Sequence, residues 1–123
     1  MNHKTKGQIE AEISEAIIKF EKEYMGRGPL ETKAYILDDM ILVRLKGVLT
    51  RAEHQLASTE ENQRGRGLIK QVRIELLEKG RPLLEAAIED ITRQKVKSLH
   101  TDISTSTGER IILFTLSGPP ETP

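Results

Sequence analysis

Ile9, Ile13, Ala16, Ile17, Phe20 and Tyr24 return at steps of four and three, which draws one apolar stripe along a helix of about five turns. On the far side Lys19 stands at i,i+4 spacing from both Glu15 and Glu23, pairs worth a few tenths of a kcal/mol each and typical of a solvated face. The stripe stops at YMGRGP (24–29). Gly26 suits the left-handed residue that follows a helix end, and Gly28-Pro29 keeps the helix from resuming.

From Thr32 to Gly47 the period shortens to two. TKAYIL, the acidic turn Asp38-Asp39 and MILVRLK together read as a β-hairpin. Ile41, Val43 and Leu45 share one face of its second strand, while Met40, Leu42, Arg44 and Lys46 share the other, apolar at one end and basic at the other. Thr50-Arg51-Ala52-Glu53 is a capping box, whose hydroxyl and carboxylate satisfy orphan amides, so a second helix begins near 49–51. Its pattern is interrupted at RGRG (64–67) and resumes at Leu68, Ile69, Val72, Leu76, Leu83, Ala87, Ile88 and Ile91. Pro82 lacks an amide hydrogen and is expected to kink or break this element, with Lys79-Gly80 marking a bend. KVKSLHTDI and ERIILFTL, joined by the turn-rich STSTG, form a second hairpin, and SGPPETP trails off as a loose tail.

Sliding the chain until Ala16-Ile17 falls on Ala87-Ile88 brings Phe20 onto Ile91 and MILVRLKG (40–47) onto IILFTLSG (111–118) without a gap. Helix plus hairpin thus occurs twice. The order α-β-β-α-β-β with tight hairpins predicts an α+β fold: a four-stranded antiparallel sheet with helices on one face, within a single domain spanning 1–123. Met40, Leu42, Ile111 and Leu113 then occupy the uncovered face. A row of large aliphatics there is the mark of an interface, and a homodimer through this face or the sheet edges is expected unless the second helix wraps over the row.

Composition narrows the chemistry. Only 37% of residues are apolar, with two Phe, two Tyr and no Trp, so the core is aliphatic and thin. Charged residues make up 31% but cancel to a formal zero, which leaves no long-range field toward nucleic acid or an anionic bilayer. The absence of cysteine excludes disulfides and thiolate chemistry and fits a reducing cytoplasm, the compartment expected. MNHKTKGQIEAE lacks the apolar core of a signal peptide, and no run approaches the roughly 20 apolar residues a membrane-spanning helix needs, so no direct insertion is expected.

Two arginine-glycine segments are candidate anion or partner sites. Gly26, Arg27 and Gly28 could form a nest of amides beside a guanidinium fork, but a helix cap and turn already account for both glycines and the proline and are the preferred reading. GRGP is no P-loop, since it lacks the Lys-Ser/Thr and follows a helix. Arg64, Arg66, Lys70 and Arg73 cluster at a possible helix N-terminus, but no aromatic lies nearby to stack a base, and no nucleic acid is expected. His3, His54 and His100 have no metal-ligand spacing, and Asp38-Asp39, Glu60-Glu61 and Glu89-Asp90 sit in a turn or on helix surfaces. No metal, cofactor or catalytic constellation is expected.

GRGP after the first helix, the block D-x-ILVRLKGVLT-x-x-E (39–53), the helix GLIKQVRIELLEKGRPLLEAAIE and the closing hairpin together resemble the MpsC-like family of small bacterial proteins. That family was long a domain of unknown function and is now labelled after a component of a sodium-translocating, membrane-potential-generating system. The likeness runs from about Gln8 to Leu116; Arg93-Gln94 stand where a glycine is expected after the last helix. The resemblance implies a non-enzymatic accessory or regulatory protein with a partner in a membrane transport system. The alternative is a sensor of a small anion or nucleotide built on the arginine-glycine loop.

Overall fold

The structure, a computed structural model, describes residues 4–58 and 63–121; His3 and the pair Glu60-Glu61 lie outside them. Helix α1 (Lys6–Tyr24) buries Ile9, Ile13, Ile17 and Phe20, the stripe its spacing predicts. A capping box missed in the sequence starts it: the Gln8 amide donates to Thr5 Oγ1 at 3.2 Å and the Thr5 amide to Gln8 Oε1 at 2.8 Å. It ends where the Met25 amide donates to the Glu21 carbonyl at 2.8 Å, and Gly26 turns left-handed at φ 86°.

Strands β1 (Glu31–Leu37) and β2 (Met40–Lys46) form the first hairpin across Asp38-Asp39, with Asp38 at φ 59°. Strands β3 (Val96–Ile103) and β4 (Arg110–Leu116) form the second. The sheet order is β1-β2-β4-β3 and every pairing is antiparallel. Where β2 meets β4, Leu42 pairs with Leu113, the residue on which it falls when the halves are superposed. Ile41 pairs with Phe114 and Val43 with Ile112, so the two halves meet about a pseudo-twofold axis.

Helix α2 (Arg51–Ala57) begins at the capping box read in the sequence, with the Glu53 amide on Thr50 Oγ1 at 3.2 Å and the Thr50 amide on Glu53 Oε1 at 2.9 Å. Helix α3 (Gln63–Thr92) departs from expectation: RGRG lies inside it. Gly65 is buried there, so packing overrides the roughly 1 kcal/mol that a glycine costs a helix interior. The helix also runs unbroken through Pro82. Pro82 and Glu78 are exposed, so water can replace the missing amide at the Glu78 carbonyl, and Arg81 spans the turn with ion pairs to Glu78 (3.3 Å) and Glu85 (3.2 Å). Gly80 lies inside the same helix. A Cβ at that position would stand 2.6 Å from Phe20 Cε1, so the glycine lets α1 and α3 approach.

After α3, Arg93 takes the left-handed conformation at φ 63° that the resemblance assigns to a glycine, and its amide donates to the Glu89 carbonyl at 2.8 Å. The helices cover the sheet face bearing Ile41, Val43, Leu45, Ile112, Phe114 and Leu116, all at most 1% exposed. Each such side chain contributes about 1.5–3 kcal/mol on burial. Among the described residues no helix is long and apolar enough to cross a membrane.

Candidate functional site

Alternation sends the remaining strand residues to the other face. The register sets Tyr35, Leu42, Leu113 and His100 in one cross-strand row, with Leu37, Met40 and Thr115 beside it on one side and Lys33, Arg44, Ile111 and Asp102 on the other. The four aliphatics named from the sequence, Met40, Leu42, Ile111 and Leu113, therefore lie together and are half-buried. The helices pack on the opposite face, so α3 does not wrap over this row. Tyr35 and Leu37, 40% and 46% exposed, extend it; the two-residue hairpin turn, which fixes the β1 register, is the signal that could have found them.

The basic end of this face is partly neutralised within the chain. Arg44 Nε donates to Glu109 Oε2 at 2.6 Å, and Glu31 meets Lys46 at 3.5 Å and Lys33 at 3.9 Å. At the other end the hydroxyls of Ser98 and Thr115 bond each other. An apolar centre with largely paired charges at its edge offers contact area with little net charge to select an oppositely charged partner.

The arginine-glycine candidates are dispersed. Arg27 NH1 donates to the Leu49 carbonyl at 2.9 Å, bracing the chain just before the α2 cap, and a Cβ at Gly28 would stand 2.9 Å from Lys22 Cε. Gly26 holds the left-handed turn already described. Arg64 is exposed in the first turn of α3, Arg66 NH1 reaches the Ala57 carbonyl at 3.4 Å, and Lys70 pairs with Asp102 at 3.4 Å. Arg73 turns inward instead and is 3% exposed.

Arg73 joins a charge quartet with buried Glu21 and Arg110 and half-buried Glu53. Its NH2 and Nε donate to the Glu53 carboxylate at 2.7 and 2.9 Å, a bidentate fork, and NH2 also reaches the Val48 carbonyl at 2.8 Å. Arg110, 2% exposed, gives Nε to Thr101 Oγ1 at 3.2 Å. Glu21, 1% exposed, lies between the two arginines, 3.9 Å from Arg73 NH1 and 3.7 Å from Arg110 NH1, too far for a hydrogen bond to either. Burial pushes the Glu21 carboxyl above its ordinary range, against the pull of Arg110 and then Arg73. Burial likewise lowers the Arg110 guanidinium, against the attraction of Glu21. At Glu53 burial opposes ionisation too, but hydrogen bonds from Arg73 and Thr50 outweigh it and hold the carboxyl below the usual range.

Sequence reasoning named Arg73 as a candidate and Glu53 as a cap residue, missed Glu21 and Arg110, and did not bring the four together. The signal was present: Glu21 continues the buried line of α1, Arg73 stands between Ile69 and Leu77 in that of α3, and Arg110 opens the alternation of Ile112, Phe114 and Leu116. Each element carries one charge in its core-facing column, and the three charges meet. Among the described residues no three His, Asp or Glu side chains converge as metal ligands would.

Residues 5–118 match the family described as "Na+-translocating membrane potential-generating system (MpsC)". The chain is 50% identical over 113 residues to "Uncharacterized protein YbcI" of Bacillus subtilis (strain 168), covering 92% of this chain and 89% of that protein. No solved structure matches. With a family match over nearly its whole length and a relative identical at half the aligned positions, the chain belongs to the MpsC family.

Proposed function

We propose that this chain is a non-catalytic accessory or regulatory module of a membrane-potential-generating system, that it works by docking, and that it pairs as a homodimer through the open sheet face. The apolar row on that face carries the proposal: Tyr35, Leu37, Met40, Leu42, Ile111 and Leu113 adjoin one another on a face the helices leave open. The family description supplies the setting. A second copy suits the face because most of its charges are paired internally, which lessens like-charge repulsion between two copies.

Light scattering coupled to gel filtration tests the reading. The expected result is a dimer whose fraction rises with concentration, and a folded monomer for Leu42→Glu. A wild-type protein that stays monomeric up to about 100 µM, where even a weak biological interface would associate, overturns the pairing.

A further inference from the structure

The two edges of the sheet are finished differently. At β1 the Glu10 carboxylate of α1 accepts the Ile36 amide at 2.8 Å, so the helix occupies part of that edge. At β3, the other edge, the Ser104 amide donates to the Glu109 carbonyl at 2.8 Å. Alternation from that pair turns the backbone groups of Ser98, His100 and Asp102 toward β4 and those of Leu99 and Thr101 outward. The ends of this outward row are closed: the Val96 amide donates to Glu89 Oε2 at 2.9 Å and the Ile103 amide to Asp102 Oδ1 at 2.8 Å. Between them, the amide and carbonyl of Leu99 and of Thr101 have no partner among the described residues. An open row of this kind is a template for one more strand.

The flanks of this edge describe the strand that fits it. Ile74 of α3, 50% exposed, borders a cleft with Thr101 and Ile103 and gives an incoming apolar side chain a surface to cover. Toward the start of β3, Arg93, Lys95 and Lys97 are exposed and form no ion pair among the described residues. Arg93 and Lys95 border a hollow of about 220 Å³ together with Gln94 and Glu89, whose carboxylate the Val96 amide already engages. At the far end the charge of Asp102 is matched by Lys70 at 3.4 Å, so the unmatched charge of the edge is positive and sits at its start. We propose that the β3 edge binds an extended, acidic-ended segment of a partner protein, which joins the sheet as a fifth strand antiparallel to β3. In that direction the C-terminal end of the segment reaches the start of β3, where its acidic groups meet Arg93, Lys95 and Lys97, while the Leu99 and Thr101 backbone groups bond its main chain. This edge is separate from the open face, so the segment and the pairing proposed above stand or fall independently.

The test is a two-dimensional NMR titration of the whole chain with short synthetic peptides at matched ionic strength. One alternates threonine and valine and ends in two glutamates at its C-terminus, a second ends in two lysines instead, and a third is the glutamate peptide with a central proline, which cannot donate to a ladder. Saturable shifts at the Leu99 and Thr101 amides are expected with the glutamate peptide, and little response with the other two. Lys97→Glu, a change at an exposed position, is expected to weaken the glutamate peptide about ten-fold. Equal binding of the glutamate and lysine peptides overturns the site, as do shifts that gather on β1 or at Leu42 and Leu113. An absence of saturable shifts with the glutamate peptide overturns it too. Shifts at Leu99 and Thr101 that grow with protein concentration before any peptide is added would give the edge to a second copy of this chain, and the partner segment would be rejected.

Discussion

The two faces of the sheet are built from the same strands and differ only by parity. On β4, Ile112, Phe114 and Leu116 are sealed under the helices, whereas Ile111 and Leu113 between them are half-buried on the side that carries no helix. The first set stabilises the monomer. The second contributes less to the monomer and offers area to a partner, so neighbouring residues of similar chemistry serve different levels of organisation.

The contrast is sharpest at adjacent positions. Phe114→Ala is expected to cost about 3–5 kcal/mol in urea unfolding, as large-to-small changes in sealed cores do. Leu113→Ala in dilute protein should cost less, about 1–2 kcal/mol, since part of its surface is already wet. Equal losses at the two positions would erase the distinction.

The covered face also holds the charge quartet, which makes it less uniform than its aliphatic pattern suggests. Arg73→Met should destabilise by about 3–5 kcal/mol, because it strands Glu21 and Glu53 without their partner; adding Glu21→Gln should recover part of the loss. The pH dependence has a definite sign. A Glu21 carboxyl raised by burial adds stability that is fully present below its ordinary value of 4.5 and is lost as pH rises through the raised one. Measured against Glu21→Gln, the wild-type unfolding midpoint should therefore fall as pH climbs above that value. A difference that stays flat or grows would mean the arginines overcome burial.

A smaller effect belongs to the backbone. Arg93 holds a left-handed conformation that costs a side-chain-bearing residue roughly 1–2 kcal/mol, so Arg93→Gly should raise stability by up to about 1 kcal/mol once the entropy of the unfolded glycine is counted.

Most of the architecture was legible from periodicity. The first helix, both hairpins, the cap at Thr50 and the residues of the open face follow from spacing and alternation, because local geometry alone decides where those side chains point. The α3 boundaries were not legible. RGRG and Pro82 look like breaks by propensity, but packing decides: Gly65 is buried, Gly80 makes room for Phe20, and Pro82 sits where water can serve the unpaired carbonyl. The quartet was least visible, since its members stand far apart in sequence and meet only after the sheet forms. Arg73 was grouped with Arg64 and Arg66 by proximity in sequence, while its helical phase sets it opposite Arg64 and two turns along the same side as Arg66, where it reaches the core.

The most direct test of the docking face exploits the absence of cysteine from the chain. Single variants Leu113→Cys on the open face and Gln71→Cys on the exposed surface of α3 can each be oxidised and their covalent dimers counted on a non-reducing gel. The expected result is rapid, concentration-dependent cross-linking through Leu113→Cys and little through Gln71→Cys. Cross-linking through α3 alone, or none in either variant, would contradict a dimer joined through the open sheet.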